Sequence, residues 1–134
     1  MGELVLDSSI VIALFDPADA HHQASTAAVR AARRDEDTMV LPASVLSEVM
    51  VAAHRQGTET VSTRLRDLHD AFGPPRVLDG EVAVKAAELR ARHRGLRLPD
   101  ALVLATAEVD GAERVLTADK GWSSVDRRVE VVRQ

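Results

Sequence analysis

The chain has 134 residues, 46% hydrophobic and 28% charged, which predicts a single globular domain over residues 1–134 that buries roughly two-thirds of its unfolded surface. The absence of cysteine excludes a disulfide framework, a thiolate metal site and a cysteine nucleophile. Two Phe, one Trp and no Tyr argue against a base-stacking sheet, and a net charge of −4 excludes a uniformly basic nucleic-acid binder but not a nuclease built on acidic residues.

In chain order, Glu3 to Leu6 reads as a short strand, and Asp7-Ser8-Ser9 as a strand end passing into a helix N-cap. Ile10 to Phe15 is a short buried helix closed by Asp16-Pro17. Ala18 to Arg34 is amphipathic, with alanines inward and Arg30, Arg33 and Arg34 outward. After the polar loop at Asp35–Asp37, Thr38 to Leu41 forms a second strand stopped by Pro42. Ser44 is placed to cap a helix that runs to Arg55 and breaks at Gly57. Thr58 to Phe72 is a further helix, ended by Gly73-Pro74-Pro75.

Arg76 to Leu78 reads as a third strand, and Asp79-Gly80 opens a helix through Arg94 that Gly95 ends. Pro99 suits the first turn of the next helix, which extends to about Val109. Asp110-Gly111 turns the chain into the strand Arg114–Thr117, and Val129 to Val132 is the last strand. Strands separated by one or two helices each imply an α/β fold: a mainly parallel sheet with helices on both faces, an α-β-α sandwich of three layers. No run approaches the roughly 18–20 apolar residues that span a bilayer. The start, Met-Gly-Glu, lacks a signal peptide's basic region, so a cytoplasmic location is expected.

Four otherwise apolar stretches each carry one carboxylate. These are Leu4–Phe15 with Asp7, Leu41–Ala53 with Glu48, Leu98–Ala107 with Asp100, and Val115–Asp119, which ends on Asp119. An ionised carboxylate in apolar surroundings costs several kcal/mol unless compensated. A divalent cation shared by acids from distant parts of the chain is the simplest common partner. Parallel sheets collect ligands beyond the C-terminal ends of their strands, where Asp7 and Asp119 both lie. Asp100 in a first helical turn and Glu48 about one turn into another helix can meet them at one mouth.

Taken singly, each acid has a plainer reading. Asp7 and Asp100 serve equally well as a helix cap and a first-turn acid, and Asp119 as a turn residue. Glu48 is harder to explain: Ser44, Val45, Val51 and Ala52 surround it one turn away, which points to burial in a core or an oligomer interface. Four independent accidents are far less economical than one acidic site. Ser9 and Thr117, each two residues from an acid, are placed to hydrogen-bond it. His21-His22 project to different sides of a helix and read as a loop or helix-start pair. Arg90 and Arg94, as i,i+4 neighbours, read as a solvated helix face. Arg92, Arg94, Arg97 and Lys120 are the nearest basic residues in sequence for phosphate contacts.

The ordered set Val-Leu-Asp7-Ser-Ser-Ile-Val-Ile-Ala-Leu-Phe, Ser-Val-Leu-Ser-Glu48-Val, Leu-Pro-Asp100-Ala-Leu-Val-Leu-Ala-Thr-Ala and Leu-Thr-Ala-Asp119-Lys-Gly-Trp122 resembles the PIN domain family along the whole chain. The likeness is greatest to its VapC-type branch, the ribonuclease toxins of toxin–antitoxin pairs. The resemblance implies a parallel sheet of four or five strands, a homodimer, and Mg²⁺- or Mn²⁺-dependent RNA cleavage blocked by a cognate antitoxin. It further implies Asp7 and Asp100 as the direct metal ligands within a catalytic set of Asp7, Glu48, Asp100 and Asp119. With few aromatics and no basic excess, the expected substrate is structured RNA read by shape; the resemblance implies that this RNA is of the tRNA or rRNA class and is cut to stop translation.

Three other readings compete. A PIN nuclease can process RNA without being a toxin. A phospho-accepting receiver module has similar length and fold, but would need a paired acid beside Asp7 and an acceptor such as Asp79 after the third strand. A catalytically silent binding module would have no use for the four acids.

Overall fold

The computed structural model describes all residues from Met1 to Gln134. Four strands, β1 (Glu3–Leu6), β2 (Thr38–Val40), β3 (Arg114–Thr117) and β4 (Val129–Val131), form one sheet in the order β2-β1-β3-β4. Every pairing is parallel, with Leu4 opposite Met39 and Arg114, and Val115 opposite Val129. Six α-helices connect them: α1 (Ser8–Phe15), α2 (His22–Arg34), α3 (Ala43–Gln56), α4 (Thr58–Phe72), α5 (Gly80–Arg92) and α6 (Leu98–Asp110), followed by a short 3-10 turn at Lys120–Ser124.

Successive residues on a strand point to opposite faces. Leu4, Val5 and Leu6 are all buried, as are Val115, Leu116 and Thr117, so helices cover both faces of the sheet. This is the α/β sandwich expected from the alternation of elements. The core gathers those strands with Ile10 and Val11 of α1, Val45 and Val49 of α3, and α6. Helix α6 is buried almost all round, at Ala101, Val103, Leu104, Ala105, Thr106 and Ala107. An apolar helix of small residues can be enclosed in this way without leaving polar groups stranded. No helix is long and apolar enough to cross a membrane.

Four expectations need correction. Arg76–Leu78 is not a strand: Arg76 makes a single bridge with Pro42, exchanging one hydrogen bond with Leu41 and one with Ala43. The chain turns into α3 at Ala43, so no second pair can form, and the Arg76 side chain is held elsewhere. Helix α2 starts at His22 rather than Ala18, because the Asp16 and Asp19 carboxylates accept from the amides of Ala18 and His21 and hold that stretch in turns. The N-cap of α3 is Pro42, not Ser44. Helix α5 ends at Arg92, so Arg94 lies beyond it and does not share a helical face with Arg90, whose Nε donates to the Leu96 carbonyl.

Candidate active site

The chain leaves β1 for β2 on one side and later returns through β3 on the other, so the order reverses between β1 and β3. At such a switch point the connections diverge and leave a crevice beyond the strand ends. Asp7 directly follows β1 and Asp119 lies two residues beyond β3.

Asp7 is 6% exposed and occupies the N-cap position of α1, yet its side chain makes no capping bond. Its Oδ2 instead accepts from Ser9 Oγ at 2.7 Å and from Thr117 Oγ1 at 2.8 Å. The simple cap reading therefore fails. The carboxylate is turned away from the helix amides and pinned through one oxygen, while Oδ1 accepts no hydrogen bond from the protein. Ser9 and Thr117 each have a second partner. Ala118 N donates to Ser9 Oγ at 3.0 Å, and Asp119 N donates to Thr117 Oγ1 at 3.0 Å. The two hydroxyls thus link the end of β1 to the segment leaving β3.

Glu48 lies on α3 at the same mouth. It is exposed, contrary to the burial its apolar neighbours suggested. Helix α3 packs through Val45, Val49, Met50 and Ala53 and leaves Ser47, Val51 and Ala52 open. A lone Val or Ala in water is ordinary, so apolar neighbours alone do not establish burial. Ser8 Oγ donates to Glu48 Oε2 at 3.4 Å. Sequence reasoning passed over Ser8, whose only signal is its place beside Asp7. Partial desolvation and repulsion from Asp7 raise the Glu48 pKa, outweighing the Ser8 contact.

Asp100 sits in the first turn of α6, behind Pro99. Desolvation raises its pKa; the Arg97 guanidinium, 3.5 Å away, opposes this, while Asp7 and Asp119 reinforce it. Asp119 accepts from Gly121 N at 2.8 Å and caps the 3-10 turn, so its turn role is real, but its charge still reaches Asp100. The structure brings the four acids within electrostatic reach of one another at one mouth. The one cation paired with any of them, Arg97 with Asp100, is largely exposed.

No three His, Asp or Glu side chains converge closely enough to clasp a metal ion by themselves. Mg²⁺ ordinarily binds through one or two carboxylates and keeps several waters. A hard, all-oxygen donor set with uncompensated negative charge and a free Asp7 Oδ1 fits such an ion. Asp100 and Asp119 also line a cavity of about 420 Å³ that runs under the loop after α5 and against the 3-10 turn.

The remaining candidates lie elsewhere. His22 Nδ1 is 2.6 Å from the Ala13 carbonyl and His21 faces Asp19, so the pair is engaged locally. Arg92 is paired with Glu88 at 2.8 Å. Asp79, the acceptor a receiver module would need, follows no strand; it caps α5 through Val82 N and pairs with Arg76.

Comparisons with known proteins bear on the fold and the family. No curated protein matches the sequence. Among solved structures, the toxin–antitoxin complex from Klebsiella pneumoniae is similar over 96% of each chain, at 23% identity and a TM-score of 0.74. VapBC2 from Rickettsia felis, bound to a DNA fragment from its promoter, covers 98% of this chain and 99% of its own at 13% identity, with a TM-score of 0.79. VapC20 from Mycobacterium tuberculosis, described as a sarcin–ricin loop cleaving toxin, covers 97% and 99% at 20% identity, with a TM-score of 0.70. At these identities the likeness is one of fold. The family model is more specific, because it matches the sequence itself: that of the PIN domain aligns with residues 4–128, and the chain belongs to the PIN domain family.

Proposed function

We propose that residues 1–134 act as one nuclease domain, a Mg²⁺- or Mn²⁺-dependent endoribonuclease that serves as the toxin of a VapBC-type pair in the cytoplasm. One observation carries the reading. In a PIN-family chain, four carboxylates face one crevice at the sheet's switch point with too little positive charge to balance them.

Asp7 and Asp100 would hold the ion. Asp7 is oriented for this by Ser9 and Thr117, which fix Oδ2 and leave Oδ1 free. When bound, such an ion supplies Lewis-acid stabilisation of charge on the scissile phosphate. Glu48, tied only by the long Ser8 contact, is the acid best able to move a proton, and its raised pKa brings it closer to the range of a general base. Asp119, fixed by Gly121 N, completes the negative wall that orients bound water. Structured RNA of the tRNA or rRNA class is the substrate we assign. A cognate antitoxin covering the mouth and a homodimer are the partners, in keeping with the fold shared with toxin–antitoxin complexes.

The test combines calorimetry with sequencing. Mn²⁺ titrated into the wild type should bind, and Asp7→Asn should lose that binding. Total cellular RNA incubated with the wild type and Mg²⁺ should be cut at a few discrete sites and left intact by the variant. Induced expression should arrest growth in the wild type only. Equal Mn²⁺ binding by both proteins would overturn the metal assignment, and degradation at many sites would favour a general processing nuclease over a toxin.

A further inference from the structure

We infer that the cavity beside Asp100 and Asp119 receives one nucleotide flanking the cut bond and sets the base preference there, an inference that rests on the nuclease reading for its substrate class. The volume, about 420 Å³, lies in the range of roughly 300–1,000 Å³ typical of small-molecule sites. Its walls divide by chemistry. Asp100 and Asp119 mark the side that faces the acidic mouth, while Arg94 contributes a guanidinium free of any ion pair and suited to phosphate. Trp122 forms part of the apolar wall. It is 3% exposed, and its indole N–H is buried without a hydrogen-bond partner.

The Trp122 side chain offers a nucleobase an apolar surface at this wall, with its own N–H sealed beneath. Ser124, whose hydroxyl donates to the Gly121 carbonyl at 3.0 Å, leaves its oxygen as an acceptor on the lining. Because Trp122 is buried in the core rather than displayed on an open sheet, the site selects by shape and polar contacts at one position. It does not stack a run of bases. A strand whose phosphate sits at the acids can thus place its neighbouring nucleotide in the cavity.

Trp122 is the single tryptophan and lines the cavity, so its indole N–H gives one NMR resonance that senses a ligand bound beside the ring. The full-length protein, labelled with ¹⁵N and held in EDTA, is titrated with each of the four nucleoside 5′-monophosphates. At least one should shift the indole resonance saturably, in Asp7→Asn as in the wild type. Gly95→Phe should abolish the effect: Gly95 lines the cavity, and a Cβ there meets no atom within 4 Å, so the fold tolerates the added bulk at the cavity's edge. Arg94→Ala, at an exposed position, should weaken binding about tenfold, the equivalent of about 1.4 kcal/mol. In a randomised RNA library with Mn²⁺, the wild type should show a base preference at one position beside the cut, which Gly95→Phe should erase.

An indole resonance unmoved by all four nucleotides overturns the inference, as does undiminished binding by both Gly95→Phe and Arg94→Ala. So does a library preference that Gly95→Phe leaves unchanged. These results leave RNA cleavage by the wild type standing. Conversely, saturable nucleotide binding in a protein that cuts no RNA supports the cavity and removes the nuclease.

Discussion

At the residue scale, the proposed metal chemistry depends on how Asp7 is held. A carboxylate at an N-cap position ordinarily turns to the helix amides, but here two hydroxyls draw it the other way. Thr117→Val removes one of them and should weaken Mn²⁺ binding by about 10-fold or more, as loss of a group that orients a metal ligand commonly does. Thr117→Ser, which keeps the hydroxyl, should bind nearly as well. Calorimetry on both variants checks this, and equal binding by Thr117→Val and wild type would show that the hydroxyl is dispensable. A second prediction follows from the raised pKa values of Glu48 and Asp100. A group whose folded pKa lies above its unfolded value contributes stability that is fully present below the unfolded value and lost as pH rises through the folded one. The loss should therefore begin near the ordinary values of 4.5 and 3.8 and extend upward. Metal-free Glu48→Gln should be more stable than wild type at neutral pH, by no more than about 1 kcal/mol given solvent screening, with the gap closing below pH 4 (roughly, the unfolded carboxylate range). Saturating Mn²⁺ should reverse the order. Urea unfolding at several pH values tests both signs, and a strongly destabilised metal-free variant would make Glu48 a structural partner instead.

At the element scale, the segment expected as a third strand does different work. Arg76 Nε lies 3.1 Å from both oxygens of Asp110, its NH2 donates to Asp110 Oδ1 at 2.8 Å, and its NH1 donates to Asp79 Oδ2 at 3.0 Å. Those bonds raise the guanidinium pKa and fasten the connection before α5 to the end of α6. Since α6 also carries Asp100, the clamp helps to fix the helix that presents a proposed metal ligand. Arg76→Ala should cost about 1–2 kcal/mol, allowing for partial exposure. Arg76→Lys should recover little, because one ammonium cannot reproduce the planar fork. Thermal unfolding of the two variants measures this, and full rescue by lysine would reduce the clamp to simple charge.

For the whole molecule, the net charge of −4 and an acidic mouth oppose a polyanionic substrate. Binding should then depend on metal and on a few basic side chains near the mouth. Arg94 and Lys120 form no ion pair and Arg97 holds Asp100 only at 3.5 Å, so these three are the candidates for phosphate, whereas Arg92 is engaged with Glu88 at 2.8 Å. Replacing each of the three by Ala should flatten the salt dependence of RNA binding by about 0.7–0.9 in the log–log slope, while Mn²⁺ affinity holds. Arg92→Ala should change the slope least. Filter binding over a series of salt concentrations decides it; unchanged slopes for all three would place the RNA path elsewhere.

The sequence by itself determined the kinds and order of the elements and the four acids. Strand and helix periodicities are local, as are breakers such as Gly57 and Gly73-Pro74-Pro75, and a charge stranded in an apolar run is visible without coordinates. Other properties depend on contacts between residues far apart in the chain. Arg76–Leu78 has strand-like composition, yet the turn of its neighbour into α3 at Ala43 and the carboxylates of Asp79 and Asp110 leave it only a bridge. Glu48 has the neighbours of a buried residue, yet the packing of α3 leaves it in water. The preference of Asp7 for Ser9 and Thr117 over its own helix, and the cavity between Arg94 and Trp122, exist only because β1 and β3 end side by side. Which face of a helix meets the core, and which strand ends become neighbours, is decided by how the elements pack together.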